Sequence, residues 1–240
     1  MRWQNDGWPT IGEKQTLHGT WQPVIEHPLP SIATKQQGAE QPQTSDDFTD
    51  GIPGLQWQWQ AHPQQKWLQS ATNMLALTCQ TMPEYQGVQA LPNLLLQKFP
   101  AREFSATTRL EAAFVQPGEL SGLIIYGERY AALALEQCEG KRKITFISAW
   151  MSDTGVLHQQ QRDIADWPQN TPLWLKVDAK PGGICHFCFS ENGTDWQSVT
   201  PCFAAGKGKW VGAKVGIFAA SRQAVAQPGV GFYSHFTIEV

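Results

Sequence analysis

Side chains able to do chemistry are present, but not at spacings that make a reaction. A β-sandwich that hydrolyses glycosides carries two or three carboxylates at alternating positions of one strand, about 5 to 9 Å apart across a cleft. Here Glu136 and Glu139 run into a glycine turn, Glu191 and Asp195 flank a hairpin, and Asp163 and Asp166 close a strand before Trp167-Pro168. None is a same-face pair inside a strand, so no catalytic residue is assigned. Gly-x-Ser-x-Gly is absent, and the six histidines stand singly, without His-x-His or His-Glu-x-x-His spacing. Gly206-Lys207-Gly208-Lys209 is composed like a phosphate-binding loop, yet no helix-forming segment follows to aim N–H groups at a phosphate. No cofactor is expected.

Cys79, Cys138, Cys185, Cys188 and Cys202 are odd in number and scattered through strand-like segments, which reads as free thiols. Cys185 and Cys188 have C-x-x-C spacing, but a strand sends residues i and i+3 to opposite faces. A shared metal is then geometrically awkward, and no metal site is expected.

What stands out is aromatic rings among polar neighbours. Trp174 lies between Leu173 and Leu175 and should point away from the face those leucines bury. Trp57 and Trp59 alternate with Gln56, Gln58 and Gln60. A flat ring covers the apolar face of a sugar while amides bond its hydroxyls, so such sites suit carbohydrate. The same rings are ordinary sandwich core. Trp57 and Trp59 read first as core, and Trp174 reads equally either way. Trp210 sits in a loop rich in Gly and Lys, and loop tips are where scaffolds present function.

These side chains need elements to position them. The hydrophobic fraction of 41% and 11 Trp are enough to build a packed core. A net charge of −3 without runs of one sign offers no basic stripe, which argues against nucleic acid and against an anionic membrane. No stretch approaches the roughly 20 apolar residues of a membrane span, and residues 1–6 lack a signal peptide's apolar core. The expectation is a soluble, cytoplasmic chain, or a periplasmic one if a longer parent carries a signal peptide.

Residues 1–30 are rich in Trp, Pro and Gly, and residues 33–45 are polar without apolar periodicity, like a linker. From Asp46 onward, short apolar-alternating runs are separated by Gly, Pro, Asn and Asp turns. The clearest run is 104–114, where Phe104, Ala106, Thr108, Leu110, Ala112 and Phe114 share one face. Asn192-Gly193 tolerates the positive φ angles of a tight hairpin, and that turn chemistry also accounts for the glycosylation-like Asn192-Gly193-Thr194. No convincing amphipathic helix is present. So many strands predict an all-β, two-sheet antiparallel β-sandwich over 46–240, with residues 1–45 draped over it or poorly ordered.

Asp46-Asp47-Phe48, then Gly54-Leu55-Gln56-Trp57-Gln58-Trp59, His62-Pro63 and Lys66-Trp67 resemble the opening of a known accessory domain. It is the C-terminal concanavalin A-like jelly roll of glycoside hydrolase family 43 β-xylosidases. The likeness continues through residues 93–98, Ser121-Gly122-Leu123, Phe187-Cys188-Phe189-Ser190, Val215-Gly216-Ile217-Phe218 and the closing strand at Phe236. Residues 2–12 resemble the segment that closes the family's five-bladed catalytic propeller. The resemblance implies that the catalytic Asp, Asp and Glu belong to that propeller, so that no position here inherits them. It also implies that the loop carrying Trp210 reaches the edge of the propeller's pocket, where the family usually shows Phe. Lys98 stands where the family usually shows Arg, and Ser234 where its last strand usually carries Asp.

The expected function is therefore an accessory domain of a xylosidase or arabinofuranosidase. It would pack on a propeller, missing or separate, and shape a pocket for a pentose-containing oligosaccharide, with Trp210 and Trp174 as substrate-binding residues. A stand-alone carbohydrate-binding module is the alternative, and a structural module with every aromatic buried is a third class. Exposed aromatics in a planar strip favour the module, and a cluster at one rim beside an apolar patch favours the accessory domain. A homo-oligomer is left open.

Overall fold

Alternation of apolar and polar residues is cleanest in Phe104–Ala113 and Leu173–Lys180, and in the computed structural model both are strands with one buried and one wet face. The structure describes residues 2, 3, 9, 10, 12–14, 21, 22, 42–83, 87–152, 154–208, 210–224 and 226–240. Two compact units result, Met1–Gln41 and Pro42–Val240. In the first, Arg2–Trp3 (β1) pairs with Pro9–Thr10 (β2), and Glu13–Lys14 (β3) with Trp21–Gln22 (β4). The linker-like residues 33–41 lie outside the described residues.

The second unit begins with Gln58–Trp59 (β5), Leu68–Gln69 (β6), Leu75–Thr78 (β7), Gln80–Thr81 (β8) and Leu95–Lys98 (β9). Long strands follow: Phe104–Ala113 (β10), Glu119–Tyr126 (β11), Arg129–Cys138 (β12), Lys141–Met151 (β13), Leu157–Trp167 (β14), Leu173–Lys180 (β15) and Ile184–Ser190 (β16). Gln197–Ser198 (β17), Phe203–Ala204 (β18), Lys214–Ser221 (β19) and Val230–Glu239 (β20) complete it. One sheet runs β17-β16-β15-β10-β20-β7-β6 with β18 on β16; the other runs β14-β13-β12-β11-β19-β9-β5, with β8 parallel to β19. Every other pairing is antiparallel, and the two sheets form a sandwich as the residue pattern predicts. Among the described residues the only helical segments are two three-residue 3₁₀ turns, Gln65–Trp67 and Val88–Ala90.

The layer between the sheets is filled by Leu77, Leu110, Leu133, Leu175, Ile217 and Phe236, among others, all fully buried. A second apolar cluster lies on the other face of the second sheet, where Leu120, Ile124, Tyr130 and Phe218 are covered by Val88, Leu91 and Leu94. That cover explains why β11 and β12 read as continuous apolar runs rather than alternating ones: they are buried on both faces. Each such side chain contributes about 1.5 to 3 kcal/mol on burial, against about 0 to 1 kcal/mol for an exposed ion pair such as Lys141–Asp166. The core, not the surface charge, decides the fold.

Residues that carry the family likeness turn out to be stitches. Asp46 Oδ2 accepts hydrogen bonds from Gly54 N at 2.9 Å and Trp57 Nε1 at 2.8 Å, and its Oδ1 accepts from Phe48 N at 3.0 Å. Asn93 Nδ2 donates to the carbonyls of Thr78 and Ala219 at 3.1 and 2.8 Å. Gln97 Nε2 donates to Thr44 O at 2.8 Å, and Ile238 N to Ser45 Oγ at 2.9 Å, so Thr44 and Ser45 are already tied into the sandwich.

At Asn192-Gly193 the expected hairpin forms, with a turn wider than a tight one. Phe189 pairs with Gln197, leaving 190–196 as the loop. Gly193 takes φ 78° while Asn192 is not left-handed. Instead Asn192 Oδ1 accepts from Thr194 N, Thr194 Oγ1 and Asp195 N, each at 2.9 Å, and Ser190 Oγ accepts from Gly193 N at 3.1 Å. Side-chain turn chemistry, not positive φ at both central residues, closes the loop.

Candidate functional site

The carboxylates that are spaced poorly for catalysis are engaged elsewhere. Glu136 accepts from Arg222 Nε at 2.6 Å and from Gln161 Nε2 at 3.2 Å. Buried Glu119 accepts from Gly229 N and Val115 N, both at 2.6 Å. Asp163 pairs with Lys143, and Asp166 with Lys141 at 3.1 Å. Cys185 faces the inter-sheet core while Cys188 faces outward near Ser198 Oγ at 3.7 Å, so the C-x-x-C sulfurs do stand on opposite faces.

Aromatic candidates divide. Trp57 is core, packed on Phe236 with ring centroids 4.8 Å apart, and Trp59 packs on buried Trp67 at 5.6 Å. Trp174 lies on the outer face of the first sheet, as the flanking leucines require, and is half-buried. Its ring meets His235 at 5.0 Å, and a Cβ added to Gly193 would come within 2.9 Å of its Cδ2. It props the 190–196 hairpin.

Trp210 is 92% exposed and holds a left-handed φ of 63°. Its loop is rooted by Glu128 N donating to Lys207 O and by Gly208 N donating to Val211 O, both at 2.8 Å. Gly127 permits this, because a Cβ there would stand 2.5 Å from Gly206 O. Lys209 lies outside the described residues. Trp210 and Trp174 are not brought together: one belongs to the loop entering β19 of the second sheet, the other to β15 of the first.

Beside the loop lies a groove of about 560 Å³, lined by Gln60, Tyr126, Glu128, Met151, Val211 and Lys214, among others. Gln60 Nε2 donates to Tyr126 Oη at 2.7 Å, and that hydroxyl reaches Gln89 O at 3.4 Å. Burial pushes the Tyr126 hydroxyl above the ordinary tyrosine value, against the pull of the Gln60 amide. Burial also holds the Lys214 ammonium below the ordinary lysine value, and neighbouring Lys98 adds to the effect. Tyr126, Lys214 and Lys98 form one row across β11, β19 and β9, since Lys214 is paired with Tyr126 on one side and Lys98 on the other. Sequence reading missed this row because only strand register assembles it. The exposed Met151 and Val211 add an apolar margin. The rim thus offers amide, phenol, carboxylate and ammonium groups next to the loop that carries the exposed indole, a set suited to a polyhydroxylated ligand.

Fold and rim together define a concanavalin A-like sandwich. The chain belongs to the family of β-xylosidase C-terminal concanavalin A-like domains, whose model matches residues 45–238. It is 29% identical over 226 residues to a putative β-xylosidase of Xylanibacter ruminicola, covering 93% of this chain and 39% of that protein. It is 23% identical over 236 residues to a β-xylosidase of Formosa agariphila, covering 89% and 38%. The chain therefore spans about two fifths of the length of the curated relatives it matches. Among solved structures, an engineered family 43 glycoside hydrolase with endo-xylanase and exo-arabinofuranosidase activity superposes with TM-score 0.72 at 19% identity, over 100% of this chain and 48% of that one. A xylan β-1,4-xylosidase from Bacillus halodurans gives 0.68 at 20%, over 100% and 46%. These likenesses agree with the sandwich fold of the second unit.

Proposed function

We propose that this chain is the accessory sandwich of a pentose-releasing glycoside hydrolase, packing on a catalytic propeller and lending the 206–212 loop to the mouth of its pocket. The observation that carries the reading is Trp210, an almost fully exposed indole on a rooted loop beside a polar groove with Met151 and Val211 at its margin. An aromatic at one rim next to apolar side chains fits a domain that completes another domain's site. Among the described residues the other exposed tryptophan, Trp150, is stacked on His158 at 5.2 Å. Trp174 enters the reading as the prop of its hairpin. The five unpaired cysteines suit a reducing compartment such as the cytoplasm.

With a cognate propeller fused or supplied in trans, Trp210→Ala should cost about 0.5 to 1.5 kcal/mol in kcat/KM on an aryl pentoside, the range of one aromatic contact. The thermal midpoint should hold. A destabilised sandwich with kcat/KM untouched would make the ring structural and sink the assignment.

A further inference from the structure

Lys98 and Lys214 are directly opposite each other on β9 and β19. Paired residues on adjacent antiparallel strands project to the same face with Cβ atoms about 4.5 to 5.5 Å apart, and like charges placed so repel. Four other lysines do have carboxylate partners: Lys141 has Asp166, Lys143 has Asp163, Lys176 has Asp178 and Lys180 has Glu103. Among the described residues Lys98 and Lys214 form no ion pair with any acid, although Glu128 lines the same groove as Lys214. The row continues to Tyr126, whose hydroxyl is held by Gln60.

We propose that Lys214, which lines this groove beside Tyr126, and Lys98, paired with it on the next strand, form a carboxylate subsite at the groove's edge, and that it takes a uronic acid carried on a pentose oligosaccharide. The inference rests on the reading of the rim as a sugar-facing surface. Two ammonium groups on one face of a sheet can grip the two oxygens of a single carboxylate, which relieves their repulsion. The partial burial of Lys214 strengthens that attraction, because the surrounding dielectric is lower than that of water. The groups around the pair suit hydroxyls: the Gln60 amide, the Tyr126 phenol, the Gln89 carbonyl and the Glu128 carboxylate. That company favours a saccharide-borne carboxylate over one on a docking protein, which would call for a drier, more apolar margin.

The test is calorimetric titration of the 240-residue chain with a xylo-oligosaccharide bearing one glucuronic acid, set against the neutral oligosaccharide of equal length. At about 0.05 M salt the acidic sugar should bind at least about fivefold tighter, and the advantage should shrink at about 0.5 M salt. Lys98→Met and Lys214→Met keep the aliphatic stems; each should abolish the advantage without lowering the thermal midpoint. Equal affinities, an advantage surviving in both variants, or no heat and no amide shift with the acidic sugar at millimolar concentration would overturn the subsite. So would variants that bind sugar like the parent but lose affinity for the propeller, since the pair would then hold a protein carboxylate. Because this assay reads binding to the chain alone, and the Trp210 assay reads turnover of an assembled enzyme, either reading can fail without the other.

Discussion

The indole N–H of Trp57 donates to Oδ2 of Asp46 at 2.8 Å, and this bond ties the first residues of the sandwich to its interior. Asp46 also exchanges backbone hydrogen bonds with Phe236 of the last strand, at 2.8 and 2.7 Å, while the Trp57 ring packs on the Phe236 ring. One carboxylate and one indole thus join the two ends of the unit. Asp46→Ala leaves Trp57 Nε1 and Gly54 N without their acceptor, and should cost about 2 to 4 kcal/mol. In thermal unfolding that is a drop of roughly 5 to 15 °C for a domain of this size. A shift within about 0.5 kcal/mol of zero would mean that water replaces the carboxylate without loss.

Gly193 and Trp174 should be energetically coupled. Alanine at 193 must adopt φ 78° and press its Cβ against the indole, so Gly193→Ala should destabilise by about 1 to 3 kcal/mol. With Trp174→Ala in the background the clash disappears and only the backbone strain, about 1 kcal/mol, should remain. Denaturant titration of the four proteins in the double-mutant cycle measures the difference; strict additivity would contradict the packing described.

Cysteine reactivity should follow position. Cys79 and Cys185 are buried, and burial pushes both thiols up, Cys185 to about 12. The half-buried Cys138 is raised too, by burial first and then by Glu136. Thiolate is the reacting species, so at pH 8 an alkylating reagent should modify exposed Cys202 well ahead of Cys79 and Cys185, which should label only after unfolding. Mass spectrometry of timed samples decides the order, and early labelling of Cys185 would contradict the core assignment.

His235 should give stability a pH dependence whose sign follows from its surroundings. Its ring packs on Trp174, its Nδ1 stands 3.1 Å from Ser234 Oγ, and burial followed by the charge of Arg109 lowers its pKa below the ordinary 6.5. The unfolded chain therefore binds the proton more readily. This contribution to stability is complete above about pH 6.5 and is lost as pH falls through the lower folded-state value. His235→Gln should flatten the dependence of the thermal midpoint on pH between about 7.5 and 5. An unchanged slope would place the titrating group elsewhere.

Much of this protein is legible in one dimension because its physics is local. Period-two alternation in β10 and β15 follows from a sheet with one buried face, and it marks those strands directly. The opposed cysteines at 185 and 188 follow from the same period, as does the outward turn of Trp174. The presented Trp210 could be suspected from the glycines around it. The width of the 190–196 hairpin could not be read, because Asn-Gly permits a two-residue turn and only the side-chain bonds of Ser190 and Asn192 select the longer loop. Tertiary structure alone decided that β11 and β12 are covered on both faces, since the covering residues, Val88, Leu91 and Leu94, come from a distant segment. It alone placed Tyr126, Lys214 and Lys98 in one row. They lie on three strands far apart in the chain, and side chains become neighbours there only when the register of two separate strand pairings is fixed.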